Sequence, residues 1–339
     1  MSINSALFAA QPAELGELES HPPRNLGLDM VRATEAAALK AARWMGLGKP
    51  DEADNEATEA MFRVLNSLDM DGRIVIGEEG KLGRHSPLDS GARVGTGHGP
   101  QVDLVVDPID GRRRLALGYS DAISVVGVGP RDSMWSANPA IYMEKLVVDR
   151  TAARAMVPEC LDAPAAWTLA LVARLQEKAV RDLVVFILDR PRHEELIEEI
   201  RTAGARVLLR SDGDIAGALM AAYPGSGVDL LMGVGGVPEG VIAACAVKSM
   251  GGCIMGRLAP QSAEERAAVL AAGLDVRRVL NCNELVASNE IFFAATGVTD
   301  GLLLSGVRYH GREAETESLV LRAETGTRRM IHTTHLLFE

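Results

Sequence analysis

The sequence predicts an α/β protein built from two layered domains. The chain has 339 residues, a length that suits two domains better than one. It is 47% hydrophobic but only 4% aromatic and contains 34 glycines, which is typical of α/β enzymes rich in Ala, Val and Gly. After residue 180 strand and helix patterns alternate, whereas the first half mixes a pair of helices with strands.

In the first half, helix patterns come before strand patterns. Residues 31–45 read as an Ala-rich helix that Gly46, Gly48 and Pro50 end. Asp54 opens a second predicted helix, whose apolar residues recur at the spacing of one helix face. The strands predicted next are 73–76, 102–106, 122–128 and 141–148.

In the second half, predicted strands and helices alternate. Because β-α repeats place parallel strands side by side, we expect a mostly parallel sheet covered by helices. The organisation is then a flexible tail, a metal-binding catalytic domain and an α/β substrate-binding domain, and it stays open whether the last strands return to the first domain. The strands are 183–188, 205–209 and 228–232, the helices 191–203, 214–223 and 238–250, and the three regions 1–24, 25–160 and 161–339.

Bulk properties exclude several classes of function. A formal net charge of −11 with no basic face argues against binding to nucleic acid. No apolar run reaches the roughly 20 residues of a membrane span, and the N-terminus has no basic region before its apolar patch. The four cysteines form no CxxC pair, so we expect free thiols in a reducing compartment. A cytoplasmic protein without a membrane partner is the prediction.

Acidic residues stand at the ends of four predicted elements. Ligands of open α/β sheets gather at the carboxyl ends of strands. Oxygen ligands without a His or Cys cluster favour Mg²⁺ or Mn²⁺, and two such ions can clamp the attacking water and the leaving oxygen in phosphoryl hydrolysis. Each acid alone also fits a helix cap or an ordinary turn, but their recurrence favours a metal site. They are Asp54, Glu78 with Glu79, Asp107 with Asp110, and Glu239.

Ten motifs between residues 25 and 335 carry a family resemblance. The chain resembles the class II fructose-1,6-bisphosphatases, a branch of the metal-dependent, lithium-sensitive sugar-phosphatase superfamily that also contains the inositol monophosphatases. The motif VVDPIDG alone points only to the superfamily, whereas the set is specific. The motifs are VRATEAAAL (31–39), IVIGE (74–78), VGTG (94–97), VVDPIDG (105–111), YMEKL (142–146), PRH (191–193), DGD (212–214), GGVPEGV (235–241), GRL (256–258) and ATGV (295–298).

The resemblance implies a fold and an activity. The fold is two layered α/β domains of the inositol monophosphatase and fructose bisphosphatase type. The activity is that of a phosphoric monoester hydrolase that removes the 1-phosphate of fructose 1,6-bisphosphate, in gluconeogenesis or the Calvin cycle. Some members also act on sedoheptulose 1,7-bisphosphate. Two or three Mg²⁺ or Mn²⁺ ions and a homodimer or homotetramer are implied as well.

The resemblance also implies site residues. Arginines beside a helix start favour a phosphate, and aspartates accept hydrogen bonds from sugar hydroxyls. A solvated helix start for the two arginines and core packing for Tyr142 remain alternatives. The metal ligands are Asp54, Glu78, Asp107, Asp110 and Glu239; the catalytic residues are Asp54, Glu78, Asp107 and Arg112; and the substrate contacts are Asp110, Gly111, Arg112, Tyr142, Arg190, Pro191, Arg192, Asp212, Gly213, Asp214 and Gly236.

The chain departs from the family pattern most at Arg112, where the family has a threonine that helps to orient the attacking water. Asp110 also replaces a glutamate, and Pro50 replaces a lysine. Arg112 either stabilises charge on the phosphate, or occupies the place of a metal ion and leaves a weakened homologue that binds sugar phosphates or a partner in a regulatory role. Arg113 and Arg114 are predicted to point to solvent.

Overall fold

The computed structural model describes residues 25–78, 85–136 and 138–337. Within these ranges the chain is a mixed α/β structure with two sheets, which confirms the predicted fold class. The predicted tail and Glu79 lie outside the described residues. The helices are α1 (Leu26–Ala41), α2 (Pro50–Leu65), α3 (Arg112–Ala116), α4 (Ala165–Leu175), α5 (Glu194–Thr202), α6 (Asp214–Ala222), α7 (Val237–Ser249), α8 (Ala263–Ala271) and α9 (Cys282–Leu285). The strands are β1 (Asp71–Ile76), β2 (Arg93–Val94), β3 (Gln101–Asp110), β4 (Ile123–Pro130), β5 (Tyr142–Val148), β6 (Val184–Leu188), β7 (Arg206–Arg210), β8 (Leu230–Gly236), β9 (Cys253–Leu258), β10 (Val279–Asn281), β11 (Phe292–Gly297), β12 (Arg308–His310), β13 (Glu313–Arg322) and β14 (Thr327–Leu336).

The first sheet joins strands from both ends of the described chain. Its order is β12-β13-β11-β4-β3-β1-β2, and β14 pairs with β13. Only β1 and β3 run parallel, while the other recorded pairings are antiparallel. Strands β11 to β14 therefore share a sheet with β1 to β4, whereas β5 to β10 form the second sheet. The domain boundaries drawn from the sequence stay a prediction.

The second sheet is mixed, so the expectation of a mostly parallel sheet is wrong. Its order is β10-β9-β5-β8-β6-β7, and β6 runs parallel to both β7 and β8, as the β-α repeats predict. The difference comes from β5, which arrives from the first sheet without a crossover helix and inserts antiparallel between β8 and β9. Strands β8 and β9 still point the same way across it.

Helices and sheets stack in five layers. Helices α1 and α2 cover one face of the first sheet, where α1 packs on β4, β11 and β13. Helices α6 and α7 lie between the sheets and contact strands of both, within one shared hydrophobic core. Helices α4 and α5 share a further hydrophobic core with the opposite face of the second sheet. The layering brings strand ends of both sheets to the N-termini of α6 and α7.

The cysteines among the described residues are free thiols, as the sequence predicts. Burial raises the pKa of Cys245 and of Cys253 to about 12, so both stay protonated and unreactive near neutral pH. None of the described helices combines the length and the apolar character that a membrane span requires.

Candidate active site

Strand β3 carries Asp107 and Asp110 into the interior of the protein. The strand is longer than predicted, so both acids lie within it rather than in a turn after it. Asp107 pairs with Val125 and Asp110 with Ile123, which leaves one extra residue on β3 and forms a bulge. Both carboxylates are buried, and Asp107 accepts a hydrogen bond from the Ile109 amide at 3.1 Å. Bulges of this kind re-aim side chains next to active sites.

Three arginines follow in the short helix α3. The residue before this helix, Gly111, has a left-handed backbone conformation (φ +90°). Successive residues of a helix point about 100° apart, so the three side chains diverge. Arg113 is exposed, but Arg114 is buried: its Nε donates to the Ser120 carbonyl at 2.8 Å, and its Nη2 lies 3.6 Å from Asp121 Oδ2. The prediction that Arg114 points to solvent is therefore wrong.

Arg112 faces helix α2. Its Nη1 lies 3.8 Å from Asp54 Oδ2 and 3.7 Å from Asp51 Oδ1. The prediction that Asp54 opens this helix is wrong, because α2 begins at Pro50, whose fixed φ suits the first helical position. Asp54 lies one turn further on and is only 1% exposed, so it is not the helix cap. A guanidinium thus stands beside the first of the predicted metal ligands.

Two neighbouring cavities collect most of the predicted site residues. A cavity of 270 Å³ is lined by Asp54 and Glu78 together with Thr58 and His85. A larger one of 460 Å³ takes residues from both sheets, since β3 leads into it from one side and the ends of β6 and β7 from the other. Its predicted site residues are Asp107, Asp110, Gly111, Arg112, Tyr142, Arg190, Asp212 and Glu239.

Carboxylates crowd together in the larger cavity, although Arg112, Arg113 and Arg190 also line it. Burial raises the pKa of Asp110 well above its usual value, and the nearby Asp107 and Asp212 raise it further. The amide of Ala216, in the first turn of α6, opposes this shift by donating to Asp110 Oδ2 at 2.8 Å. Such a site favours a cation.

The remaining predicted substrate contacts lie at or just after the ends of strands of the second sheet. The Arg192 guanidinium stacks over the Tyr142 ring at 5.0 Å and donates to the Val234 carbonyl at 2.9 Å. Pro191 begins a 3₁₀ turn, Pro191–His193, ahead of α5, so the predicted helix starts later than expected. Gly213, with φ +93°, precedes α6, whose first residue is the buried Asp214.

Two residues that the motifs contain but for which no role was predicted support this wall of the cleft. Lys145 pairs with the Asp214 carboxylate and donates to the Gly236 carbonyl at 3.0 Å. His193 accepts from the Val234 amide at 2.8 Å through Nε2, so its Nδ1 carries the proton that reaches the Leu188 carbonyl at 2.7 Å. A lysine inside the otherwise apolar stretch KLVV was the signal available for Lys145.

The carboxylates fit a hard divalent cation in kind. Among residues 25–78, 85–136 and 138–337, no group of three or more Asp, Glu, His or Cys side chains is arranged to hold a metal ion. The donors are nonetheless all carboxylate oxygens, the preference of Mg²⁺ and Mn²⁺. A Cβ atom at Gly236 would overlap Glu239 Oε2, so this glycine makes room for that carboxylate beside the cavity. The ligand roles of these acids stay predictions.

Comparisons with known proteins point to one family. The family model described as bacterial fructose-1,6-bisphosphatase, glpX-encoded, matches residues 24–335. The fructose-1,6-bisphosphatase class 2 of Haemophilus influenzae is 39% identical over 327 residues, which cover 93% of this chain and 97% of the relative. The fructose-1,6-bisphosphatase 1 class 2 of Escherichia coli K12 is 38% identical over 327 residues, which cover 93% of this chain and 96% of the relative.

Proposed function

The chain belongs to the glpX-encoded bacterial fructose-1,6-bisphosphatase family and is a phosphoric monoester hydrolase, and we propose that it hydrolyses the 1-phosphate of fructose 1,6-bisphosphate with Mg²⁺ or Mn²⁺. One observation carries the proposal. A single cavity has acids from the first sheet on one side and groups suited to a phosphate and a sugar, Arg190 and Asp212, on the other. Hydrolysis of a sugar phosphate needs acids that can hold metal ions and also groups that bind the phosphate and the sugar.

Acids of both cavities have a role in the proposed reaction. Asp107, Asp110 and Glu239 would hold divalent cations against the phosphate, together with Asp54 and Glu78 from the neighbouring cavity. A cation bound there neutralises charge on the phosphoryl group and lowers the pKa of water. In the absence of the family's threonine, Asp54 or Glu78 accepts the proton of the attacking water.

The second sheet would hold the substrate. Arg190 donates to phosphate oxygens, and the cation-π contact between Arg192 and Tyr142 supports the same wall of the cleft. Asp212 and Asp214 orient sugar hydroxyls. Sedoheptulose 1,7-bisphosphate is also a ketose 1-phosphate, so we propose it as a second substrate that makes the same contacts.

The position of Arg112 favours a second candidate function. A fixed guanidinium 3.8 Å from Asp54 repels a divalent ion and takes the place of the water-positioning hydroxyl. The chain would then be a catalytically weakened homologue that binds sugar phosphates or a partner. In the leading proposal the same guanidinium stabilises negative charge on the phosphoryl group.

Phosphate release separates the two candidates. Wild type, Arg112→Thr and the matched control Arg63→Thr, whose side chain lies on the exposed surface of α2, are assayed with Mg²⁺ and with Mn²⁺ on fructose 1,6-bisphosphate. We expect metal-dependent turnover by the wild type and by the control. A silent wild type together with an active Arg112→Thr variant would establish the weakened homologue instead. Sedoheptulose 1,7-bisphosphate and an inositol phosphate complete the substrate panel.

A further inference from the structure

Lys145 occupies a position where strand β5 otherwise buries apolar side chains. Met143 and Val147, two residues to either side and hence on the same strand face, belong to the core between the sheets. Lys145 is only 2% exposed. A buried ammonium is costly unless it is paired and hydrogen-bonded, so its presence here calls for a specific purpose.

The Lys145 ammonium joins two segments of the cleft wall. It pairs with the carboxylate of Asp214, the first residue of α6, and it donates at 3.0 Å to the carbonyl of Gly236, the last residue of β8. Its neighbours across the sheet are Gly233 and Gly256, which have no side chains to crowd it. One side chain therefore connects a helix start and a strand end.

These segments leave no spare space around the pair. A Cβ atom at Gly235 would overlap Asp214 Oδ2, and one at Gly236 would overlap Glu239 Oε2. The Asp214 carboxylate, the end of β8 and the Glu239 carboxylate are thus packed in sequence. Both glycines let a carboxylate lie directly against the backbone at the end of β8.

We propose that Lys145 is a positioning residue that holds the Asp214 carboxylate and the Gly236 carbonyl in the arrangement that binds the sugar of a ketose bisphosphate. The inference rests on the proposed function, because Asp214 and Gly236 are the expected substrate contacts. Lys145 itself lies beneath them and acts through them. Loss of its charge therefore weakens substrate binding more than it slows the chemical step.

Steady-state kinetics of Lys145→Met test this role. Methionine keeps the shape of the stem and removes the charge, so we expect KM for fructose 1,6-bisphosphate to rise about tenfold and kcat to change less than about threefold. The matched control is Lys178→Met. Lys178 also pairs with a buried aspartate, Asp229 just before β8, but is itself partly exposed and lines a different cavity. The inference would be overturned if Lys145→Met, like Lys178→Met, had a lower melting temperature but an unchanged KM.

A double-mutant cycle adds a measurement that a change in stability alone would not alter. Asp214→Asn is combined with Lys145→Met, which removes both buried charges and keeps a foldable protein if the single Lys145 variant unfolds. We expect the double variant to melt above Lys145→Met, while its KM is no higher than that of the worse single variant. Additive effects on KM would mean that Lys145 does not act through Asp214, and recovery of wild-type KM would mean a structural role only.

Binding calorimetry keeps this test separate from the proposed activity. If the wild type releases no phosphate, the proposed hydrolysis fails, but fructose 1,6-bisphosphate can still be titrated into each variant. We expect about tenfold weaker binding in Lys145→Met and wild-type affinity in Lys178→Met. Equal affinity in Lys145→Met overturns the role of Lys145, and absence of binding to the wild type overturns both proposals.

Discussion

The two ends of strand β3 hold buried acids in opposite surroundings. Near its start, Asp103 is fully buried and accepts hydrogen bonds from Arg73 to both carboxylate oxygens, at 2.9 and 2.8 Å. The Asp132 amide adds a further bond at 2.6 Å, and Arg131 lies 3.6 Å away. Near its end, burial raises the pKa of Asp110, and the surrounding acids raise it further.

The difference separates acids that stabilise the fold from acids suited to a ligand. A carboxylate compensated by guanidiniums contributes to stability, and its loss removes one hydrogen-bonded partner from them. A carboxylate crowded by like charges destabilises the native state until something neutralises it, which is typical of functional sites. One strand thus shows both uses of the same side chain.

The largest expected effect is at Asp107, where Asp107→Asn should lower kcat/KM for fructose 1,6-bisphosphate by about 10²–10⁴. Asparagine keeps the hydrogen bond from the Ile109 amide, so the melting temperature should not fall. Phosphate release and thermal unfolding are measured on the same preparation. Activity close to that of the wild type would contradict the assignment of this end of β3 to function.

Asp103→Asn should show the reverse pattern. Removal of the carboxylate charge weakens the pair with Arg73 and should lower the free energy of unfolding by about 1–2 kcal/mol, less than for a fully buried pair because Arg73 is half-buried and keeps Asp132 as a partner. Urea denaturation measures the loss, and kcat per folded molecule should stay within about twofold of the wild type. If stability stayed the same while kcat fell, the two ends of β3 would not differ in the way described.

Some of these features can be predicted from the sequence, and others cannot. Asp107, Asp110, Arg190, Asp212 and Glu239 could be predicted as neighbours, because strand ends of layered α/β sheets converge and the motifs mark those ends. Their convergence in one cavity agrees with that prediction, while their roles stay predictions.

Other features depend on contacts that no local pattern carries. The burial of Arg114 depends on the phase of a short helix, which the left-handed Gly111 determines. Lys145 pairs with Asp214, which lies 69 residues further along the chain. Strand β5 lies between two strands that are parallel to each other because the chain crosses from the first sheet to the second at this point. Each of these follows from tertiary packing, not from propensity or periodicity.

Asp110→Asn tests the electrostatic cost at the functional end of β3. Asparagine still accepts from the Ala216 amide but removes a carboxyl group whose ionisation burial and the neighbouring acids oppose. We expect the metal-free protein to melt about 2–4 °C higher, a gain of about 1 kcal/mol, while activity falls. Thermal unfolding in the presence of a chelator measures the gain. A lower melting temperature would mean that the carboxylate charge stabilises the fold there, as it does at Asp103.

The last expected effect depends on pH and concerns His193, a buried group that is satisfied without any charge. Burial lowers its pKa below 6.5, and the neighbouring Arg192 lowers it further. The native state therefore binds fewer protons than the unfolded state, so this contribution to stability is complete above pH 6.5 and is lost as the pH falls below it. Urea denaturation between pH 7.5 and pH 5 should show the decline, at no more than about 1.4 kcal/mol per pH unit. His193→Gln should flatten that slope because glutamine does not titrate, and an unchanged slope would assign the decline to other groups.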